Sequence, residues 1–448
     1  MIRVARLAAF ALAAFALAGA MLTGAAAGVP PTDTEPTPRS AATPSPSPSP
    51  TKEPSERDRQ YWIDDYGIKD AWKTSQGEGV TVAVIDTGIV DGPEAFKGAV
   101  AGGTDVSGVG AQDGRTPVDV VNRNHGSWVA SLVAARNGGD ADKMIGVAPK
   151  AKLLSVSVGF GDSATVPFVE QIAEAITWSV DHGADIINLS LTTNAQSWDE
   201  SWDDAFLYAM QHDVVIVAAA GNRGSGTNVV GAPATIPGVL TVAGVDPEGK
   251  PSVEASTQGI TIGVSAPSEK LLGISADGVL KEWKGTSGAA PIVTGVAALV
   301  RSAHPEASAI DVINRIVQTA RKPKGVTEVP HPLYGYGLVD AEAAVTADVP
   351  AATRNPMGDL ERWIEVNRRK PAEQQPTPTV APVEIPPLPP AEGRPEAGSS
   401  FLPSQEELRT GTLPLAALSG AGILVVLGVI AAVRRVRSAR VRRSPGKP

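Results

Sequence analysis

The sequence predicts an α/β fold with a doubly wound, mostly parallel sheet. Two observations carry this reading. A short, continuous β-branched run at residues 80–85 and similar runs at 152–158, 185–189, 214–219 and 239–245 have the character of strands covered on both faces. Helical patterns lie between them, at 125–135 and 166–182, and alternation of strand and helix is what a parallel sheet with helices on both faces requires. Two further helices, over 287–302 and 307–320, follow the last strand pattern.

Composition narrows the classes of function. Of 448 residues, 42% are hydrophobic, enough for a sizeable core. The formal net charge of -9 argues against a nucleic-acid partner, which requires a basic face. There is no Cys, so disulfides, thiolate metal sites and a Cys nucleophile are excluded.

Both ends of the chain read differently from its middle. Arg3 and Arg6 precede an apolar run that continues to about residue 22, and Ala25, Ala26 and Ala27 follow. This is the three-part pattern of a secretory signal peptide over residues 1–27. Residues 28–57 are rich in Pro, Thr and Ser and hold too little apolar surface to offset the entropy of ordering, so they are expected to form an extended tether. The folded domain is expected over residues 58–346. Residues 347–412 are again Pro- and charge-rich and read as a linker. Residues 413–433 carry no charge and are long enough to cross a bilayer core as one C-terminal transmembrane helix. Arg434, Arg435, Arg437, Arg440, Arg442, Arg443 and Lys447 follow at once, which makes 434–448 a basic cytoplasmic tail and leaves the large domain outside. Beside a span, such a tail is a stop-transfer signal and lipid contact, with no nucleic acid implied. The expected location is the cell membrane, single-pass, with the folded domain extracytoplasmic.

Three segments carry chemistry. Val82-Ala83-Val84-Ile85-Asp86-Thr87-Gly88 puts a carboxylate at the C-terminal end of a buried strand, where α/β folds build their sites. Asn124-His125-Gly126-Ser127-Trp128-Val129-Ala130 puts an imidazole at a helix start. Gly285-Thr286-Ser287-Gly288-Ala289-Ala290-Pro291 puts a hydroxyl at the N-terminus of an apolar helix, where backbone N–H groups favour developing negative charge. Pro291 sits early in that helix, where a missing donor costs little. A Ser hydroxyl needs a base to become a nucleophile, His is that base near neutral pH, and a buried carboxylate fixes its tautomer. An oxyanion donor is also needed. Ala218-Ala219-Ala220-Gly221-Asn222 ends a buried strand in a side-chain amide that can supply it, together with the Ser287 backbone N–H.

The order Asp, His, Ser and the motifs around each resemble the subtilisin family. The resemblance rests on Val84-Ile85-Asp86-Thr87-Gly88, Gly146-Val147-Ala148-Pro149, Ala219-Ala220-Gly221-Asn222, Gly285-Thr286-Ser287 with Ala289-Ala290-Pro291, and Tyr336-Gly337-Leu338-Val339-Asp340, and it covers residues 60–345. It implies a subtilisin-type fold and a serine endopeptidase in which Asp86 orients, His125 is base then acid, Ser287 attacks and Asn222 binds the oxyanion. It also implies that Ser190, Leu191 and Thr192 pair with extended peptide substrate, and that Ala219, Ala220 and Gly221 form a wall of the pocket before the scissile bond. The chain departs from the family's usual residues at Asn124, Ser127, Trp128 and Thr192, the last standing where a Gly is common. The stretch before Tyr61 is too short for the usual folded propeptide. The whole layout, with the lead-in Gln60-Tyr61-Trp62 and Ala71-Trp72, is similar to the mycosins, membrane-anchored proteases of type VII secretion. That resemblance implies protein or peptide substrates and a secretion membrane complex as partner.

An α/β-hydrolase esterase is excluded, because Gly285-Thr286-Ser287-Gly288-Ala289 breaks the Gly-x-Ser-x-Gly elbow and His331 precedes Asp340. A non-enzymatic alternative is a mainly structural part of a membrane complex, with proteolysis dispensable or latent. His182, His212, His304 and His331 lack ligand-like spacing and read as structural or surface residues. The cluster Asp199, Glu200, Asp203 and Asp204 reads as the solvated face of the helix containing Phe206 and Tyr208, so no cofactor or metal ligand is assigned. The family resemblance leaves structural calcium open.

Overall fold

The computed structural model describes residues 53–118 and 122–368. The expected signal peptide, most of the 28–57 extension, the linker from residue 369 onward, the transmembrane helix at 413–433 and the basic tail lie outside the described residues. Among the described residues no helix is long and apolar enough to cross a membrane.

Seven strands form one parallel sheet: β1 (Thr81–Asp86), β2 (Val100–Asp105), β3 (Lys152–Ser157), β4 (Ile186–Leu189), β5 (Val215–Ala219), β6 (Leu240–Val245) and β7 (Ile262–Pro267). Their order is β2-β3-β1-β4-β5-β6-β7, with every pairing parallel. The chain starts at β1, moves to one side for β2 and β3, then crosses to the other side for β4 onward. The topological switch point therefore falls at β1, and the crevice beyond its C-terminal end is where an open α/β sheet binds ligands. The strands read from sequence appear within a residue or two of their expected limits. Two did not stand out there. β2 reads Val-Ala-Gly-Gly-Thr-Asp, with two glycines and no β-branched run, and is half-exposed at the sheet edge. β7 is buried throughout but ends in Pro267 at the other edge, where a lost donor is tolerated.

The helices are α1 (Trp62–Asp65), α2 (Ile68–Ala71), α3 (His125–Ala134), α4 (Phe168–Asp181), α5 (Ser201–Gln211), α6 (Thr286–Ala303), α7 (Ala309–Gln318), α8 (Ala341–Thr346) and α9 (Leu360–Asn367). Two buried clusters result, one on each face of the sheet. Val82, Val84, Val215 and Val217 meet α3 and α6 on one face, and Ala83, Ile85, Ile187 and Ile216 meet α4 and α5 on the other. This follows from the period-2 alternation of side chains along each strand. Helix α6 is the central one: residues 288–300 are all buried. Ala, Gly and Val at those positions let the helix lie close against β4 to β7. An antiparallel hairpin, β8 (Leu271–Ile274) and β9 (Leu280–Trp283), stands apart from the main sheet and leads directly into α6.

The packed chain continues past residue 346, where the sequence reading ended the domain. The Ala352 N–H donates to Asp311 Oδ1 at 2.7 Å, and Leu360 and Ile364 of α9 are buried. The same segment corrects the reading of one member of the acidic cluster: Asp199, Glu200 and Asp204 are exposed as expected, and Asp203 is not. Asp203 is only 7% exposed. Its carboxylate accepts from Trp198 Nε1 at 2.6 Å and Arg368 Nε at 2.7 Å. The Arg368 guanidinium also lies over the rings of Trp198 and Trp363. A lone α9 has too little apolar surface to be stable, and a charge partner already on α5 supplies the missing hold. Of the four non-motif histidines, His182, His212 and His331 make contacts within four residues, and the His304 ring reaches the Val345 carbonyl at 2.7 Å.

Candidate active site

Asp86 is the last residue of β1 and is 1% exposed. Its Oδ1 accepts from the next backbone N–H, that of Thr87, at 2.7 Å. Both its oxygens lie 2.9 Å from Nδ1 of His125, the first residue of α3. Two contacts hold α3 against the exit of β1. The Gly126 N–H donates to Thr87 Oγ1 at 3.0 Å. A Cβ on Gly126 would come within 2.5 Å of the Gly88 carbonyl oxygen, so only glycine allows this approach.

Ser287 is the second residue of α6, after Gly285 turns the chain with φ +145°, a conformation that L side chains rarely adopt. The Ser287 hydroxyl donates to the Ser190 carbonyl at 3.1 Å, and the Ser190 hydroxyl donates to the Ser287 carbonyl at 2.8 Å. Pro291 is the sixth residue of α6, deeper than the first-turn place expected from sequence. Its missing N–H would have bonded the carbonyl four residues back, that of Ser287. Ser190 fills the vacated acceptor. A buried chain supports this arrangement. Thr294 Oγ1 donates to Asn188 Oδ1 at 2.9 Å, and Asn188 Nδ2 donates to Ser190 Oγ at 2.9 Å. The amide orientation of Asn188 is thereby fixed, and so is the role of Ser190 as a donor toward Ser287.

Asn222 follows β5. Its Oδ1 accepts from both the N–H of Thr286 at 2.7 Å and the Thr286 hydroxyl at 2.9 Å. With the oxygen so engaged, the Nδ2 donor lies beside Gly285, just before the first turn of α6 that carries Ser287. A Cβ on Gly285 would lie 3.1 Å from that nitrogen.

These residues share one cleft of about 290 Å³ at the C-terminal ends of β1, β4 and β5, lined by His125, Ser287, Asn222, Ser190, Leu191, Thr192, Ala219 and Gly221 among others. Nine of the ten residues singled out from sequence are thus brought together, eight on the cleft wall and Asp86 behind His125. Ala220 is the exception. It is fully buried in the cluster on the α4–α5 face, with its N–H bonded to the Val242 carbonyl. Alternation along the strand turns Ala219 toward the cleft and Ala220 away from it. Thr192 does face the cleft, where its methyl and that of Thr227 flank Gly221. The cleft is also lined by Asn122, Phe160, Ser225 and Thr227, which sequence reasoning missed. Phe160 and Thr227 lie in the loops that follow β3 and β5, so the rule that sites form beyond the C-terminal strand ends was the available signal.

Comparison with known proteins agrees with this geometry. The family model for peptidase S8, the subtilase family, matches residues 77–337, more than half of the chain. Mycosin-3 of Mycobacterium tuberculosis is 36% identical over 340 residues, covering 63% of this chain and 70% of the relative. Subtilisin DY of Bacillus licheniformis is 34% identical over 272 residues, covering 60% of this chain and 92% of the relative. The crystal structure of MycP1 from Mycobacterium smegmatis superposes with a TM-score of 0.57 at 29% identity, over 69% of this chain and 89% of that one. The structure of MycP3 protease from the type VII (ESX-3) secretion system gives 0.56 at 32% identity, over 67% and 90%. The parallel α/β fold, the matched family model and these relatives together show that the chain belongs to the subtilase family of serine proteases.

Proposed function

We propose that this protein is a membrane-anchored, extracytoplasmic serine endopeptidase that works through Asp86, His125, Ser287 and Asn222, alongside a type VII secretion complex. The observation that carries the catalytic part is the pair of 2.9 Å contacts between His125 Nδ1 and the buried Asp86 carboxylate, in the cleft that Ser287 and Asn222 also line. With Nδ1 engaged, Nε2 is the nitrogen that handles the proton. Substrate enters the cleft extended, alongside Ser190 to Thr192. The Ser287 hydroxyl turns from the Ser190 carbonyl to His125, gives up its proton and attacks the scissile carbonyl carbon. Asp86 stabilises the imidazolium. The tetrahedral oxyanion accepts hydrogen bonds from Asn222 Nδ2 and the Ser287 backbone N–H. Collapse returns the proton from His125 to the leaving amine and leaves an acyl-enzyme. Water, activated by His125, repeats the sequence and frees the new carboxylate.

The anchoring part is supported by the uncharged 21-residue stretch at 413–433 and the cationic residues after it. The type VII association is supported by the relatives, three of whose solved structures carry that system's name. The test is hydrolysis of a quenched-fluorescent peptide library by purified full-length chain in detergent. Wild type is expected to cleave, and Ser287→Ala to be inactive with an unchanged melting temperature, because Ala fits the first turn of α6 without strain. Equal residual cleavage by both would refute the assignment.

A further inference from the structure

Asn124 and Trp128, two of the places where the chain departs from its family's usual residues, are tied to the same element. Asn124 occupies the N-cap of α3, yet its side chain caps nothing in its own helix. Its Oδ1 accepts instead from the backbone N–H of Ala276, in the turn of the β8–β9 hairpin, at 2.9 Å. Trp128 Nε1 donates to Ser275 Oγ in the same turn at 2.9 Å. The Trp128 side chain also covers Gly273, where an added Cβ would come within 2.7 Å of it. Ser131 Oγ accepts from the Ile274 N–H at 3.2 Å. Residues 124, 128 and 131 are spaced four and three apart, so they lie on one face of the helix. The hairpin they hold ends in Trp283, four residues before Ser287. The Trp283 ring meets the His125 ring edge to face, with centroids 5.7 Å apart and planes at 76°. The Trp128 ring lies 5.5 Å from the Trp283 ring. Trp283 Nε1 is buried with no hydrogen-bond partner among the described residues. The backbone of Trp283 is paired with Leu271 in the hairpin. Its indole ring makes no hydrogen bond there, so its place against His125 and Trp128 is set by packing.

We infer that Trp128 and Trp283 form a clasp between the helix that carries His125 and the hairpin that leads into Ser287, and that Trp128 is a positioning residue which sets the His125 ring through Trp283. This rests on the reading of His125 as the base. The clasp ties the two moving parts of the proton transfer to one rigid element, so the base keeps its angle to the nucleophile while Ser287 turns toward it.

The experiment is the kinetics of covalent labelling of purified full-length chain by a fluorophosphonate probe, resolved into limiting rate, half-saturating concentration and final stoichiometry. Trp128→Ala and Trp283→Ala are each expected to lower the limiting rate by about tenfold, the scale of a small misplacement of a reacting group, with the other two quantities unchanged. The double variant is expected to be no slower than the slower single one, because both act through one ring contact. Trp283→Phe restores most of the rate. Ser275→Ala removes only the hydroxyl partner of the Trp128 indole, serves where the Ala variants fold poorly, and is expected to slow labelling by about threefold. An unchanged limiting rate in Trp283→Ala, losses that multiply in the double variant, or a loss confined to stoichiometry would each overturn the inference. The ring contact is read separately in Ser287→Ala by the ring-current shift of the His125 imidazole protons, expected to vanish when Trp283→Ala is added. Absence of that shift refutes the clasp itself. Its presence in a chain whose wild type does not label would refute the triad reading, and the positioning role with it.

Discussion

Asn222 faces two ways, and the two ends of its amide do different work. The oxygen is held by the backbone and hydroxyl of Thr286, which ties the end of β5 to the start of α6. The nitrogen is the only part that can serve an oxyanion. Asn222→Asp separates the two, because it keeps both acceptor contacts while it deletes the donor and adds a negative charge that repels the oxyanion. It is expected to lower kcat by about 10²- to 10³-fold, the loss measured for removing one oxyanion donor, while KM changes little. Steady-state kinetics on a peptide substrate checks this, and a variant that lost KM alone would assign Asn222 to substrate binding. At this scale the sequence was most informative where chemistry demands a residue type: a carboxylate at a strand end, an imidazole at a helix start, a hydroxyl at a helix N-terminus. It was least informative where only direction matters. Ala219 and Ala220 are the same residue in the same strand exit, and just the pleat decides which faces the cleft. The Ser190–Asn188–Thr294 chain was equally hidden, since its members are spread over more than a hundred residues and meet only in the folded core.

At the scale of elements, continuous apolar runs announced themselves and weak or borrowed elements did not. β1, β3, β4, β5 and β6 are largely buried, mostly apolar strands whose pattern survives without context. β2 depends on pairing with β3 more than on its own residues. Helix α9 is the clearest case of a borrowed element. It sits in a Pro- and charge-rich stretch and buries only Leu360 and Ile364. What keeps it docked is Arg368, reaching Asp203 across 165 positions of sequence. No local pattern encodes that partnership, which is why Asp203 read as solvated with its exposed neighbours Asp199, Glu200 and Asp204. Arg368→Ala would leave the Asp203 carboxylate buried without its cation, at a cost of about 3 kcal/mol. The expected result is a lower midpoint in urea unfolding and faster hydrogen exchange over residues 360–367. Asp203→Asn in the Arg368→Ala background should recover part of the loss, because it removes the stranded charge. No change in exchange over α9 would mean that the helix docks without this pair.

For the whole molecule, one topological fact organises the rest. The sheet changes direction at β1, so the C-terminal ends of β1, β4 and β5 open onto a common crevice. Asp86 and Asn222 arrive there on strand exits, His125 and Ser287 on the helices α3 and α6 that pack across the same sheet face. The absence of Cys, the signal-like N-terminus and the apolar stretch at 413–433 are the sequence features behind the proposal that the domain works on the outer side of a membrane. The most direct test treats intact cells carrying the full-length chain with a fluorophosphonate probe that does not cross membranes, then maps the adduct by mass spectrometry. The account predicts a single adduct on Ser287, in the membrane fraction, absent from Ser287→Ala and formed without cell lysis. Labelling only after lysis would contradict the outward placement of the domain, and no labelling of a folded, membrane-bound chain before or after lysis would contradict the catalytic assignment.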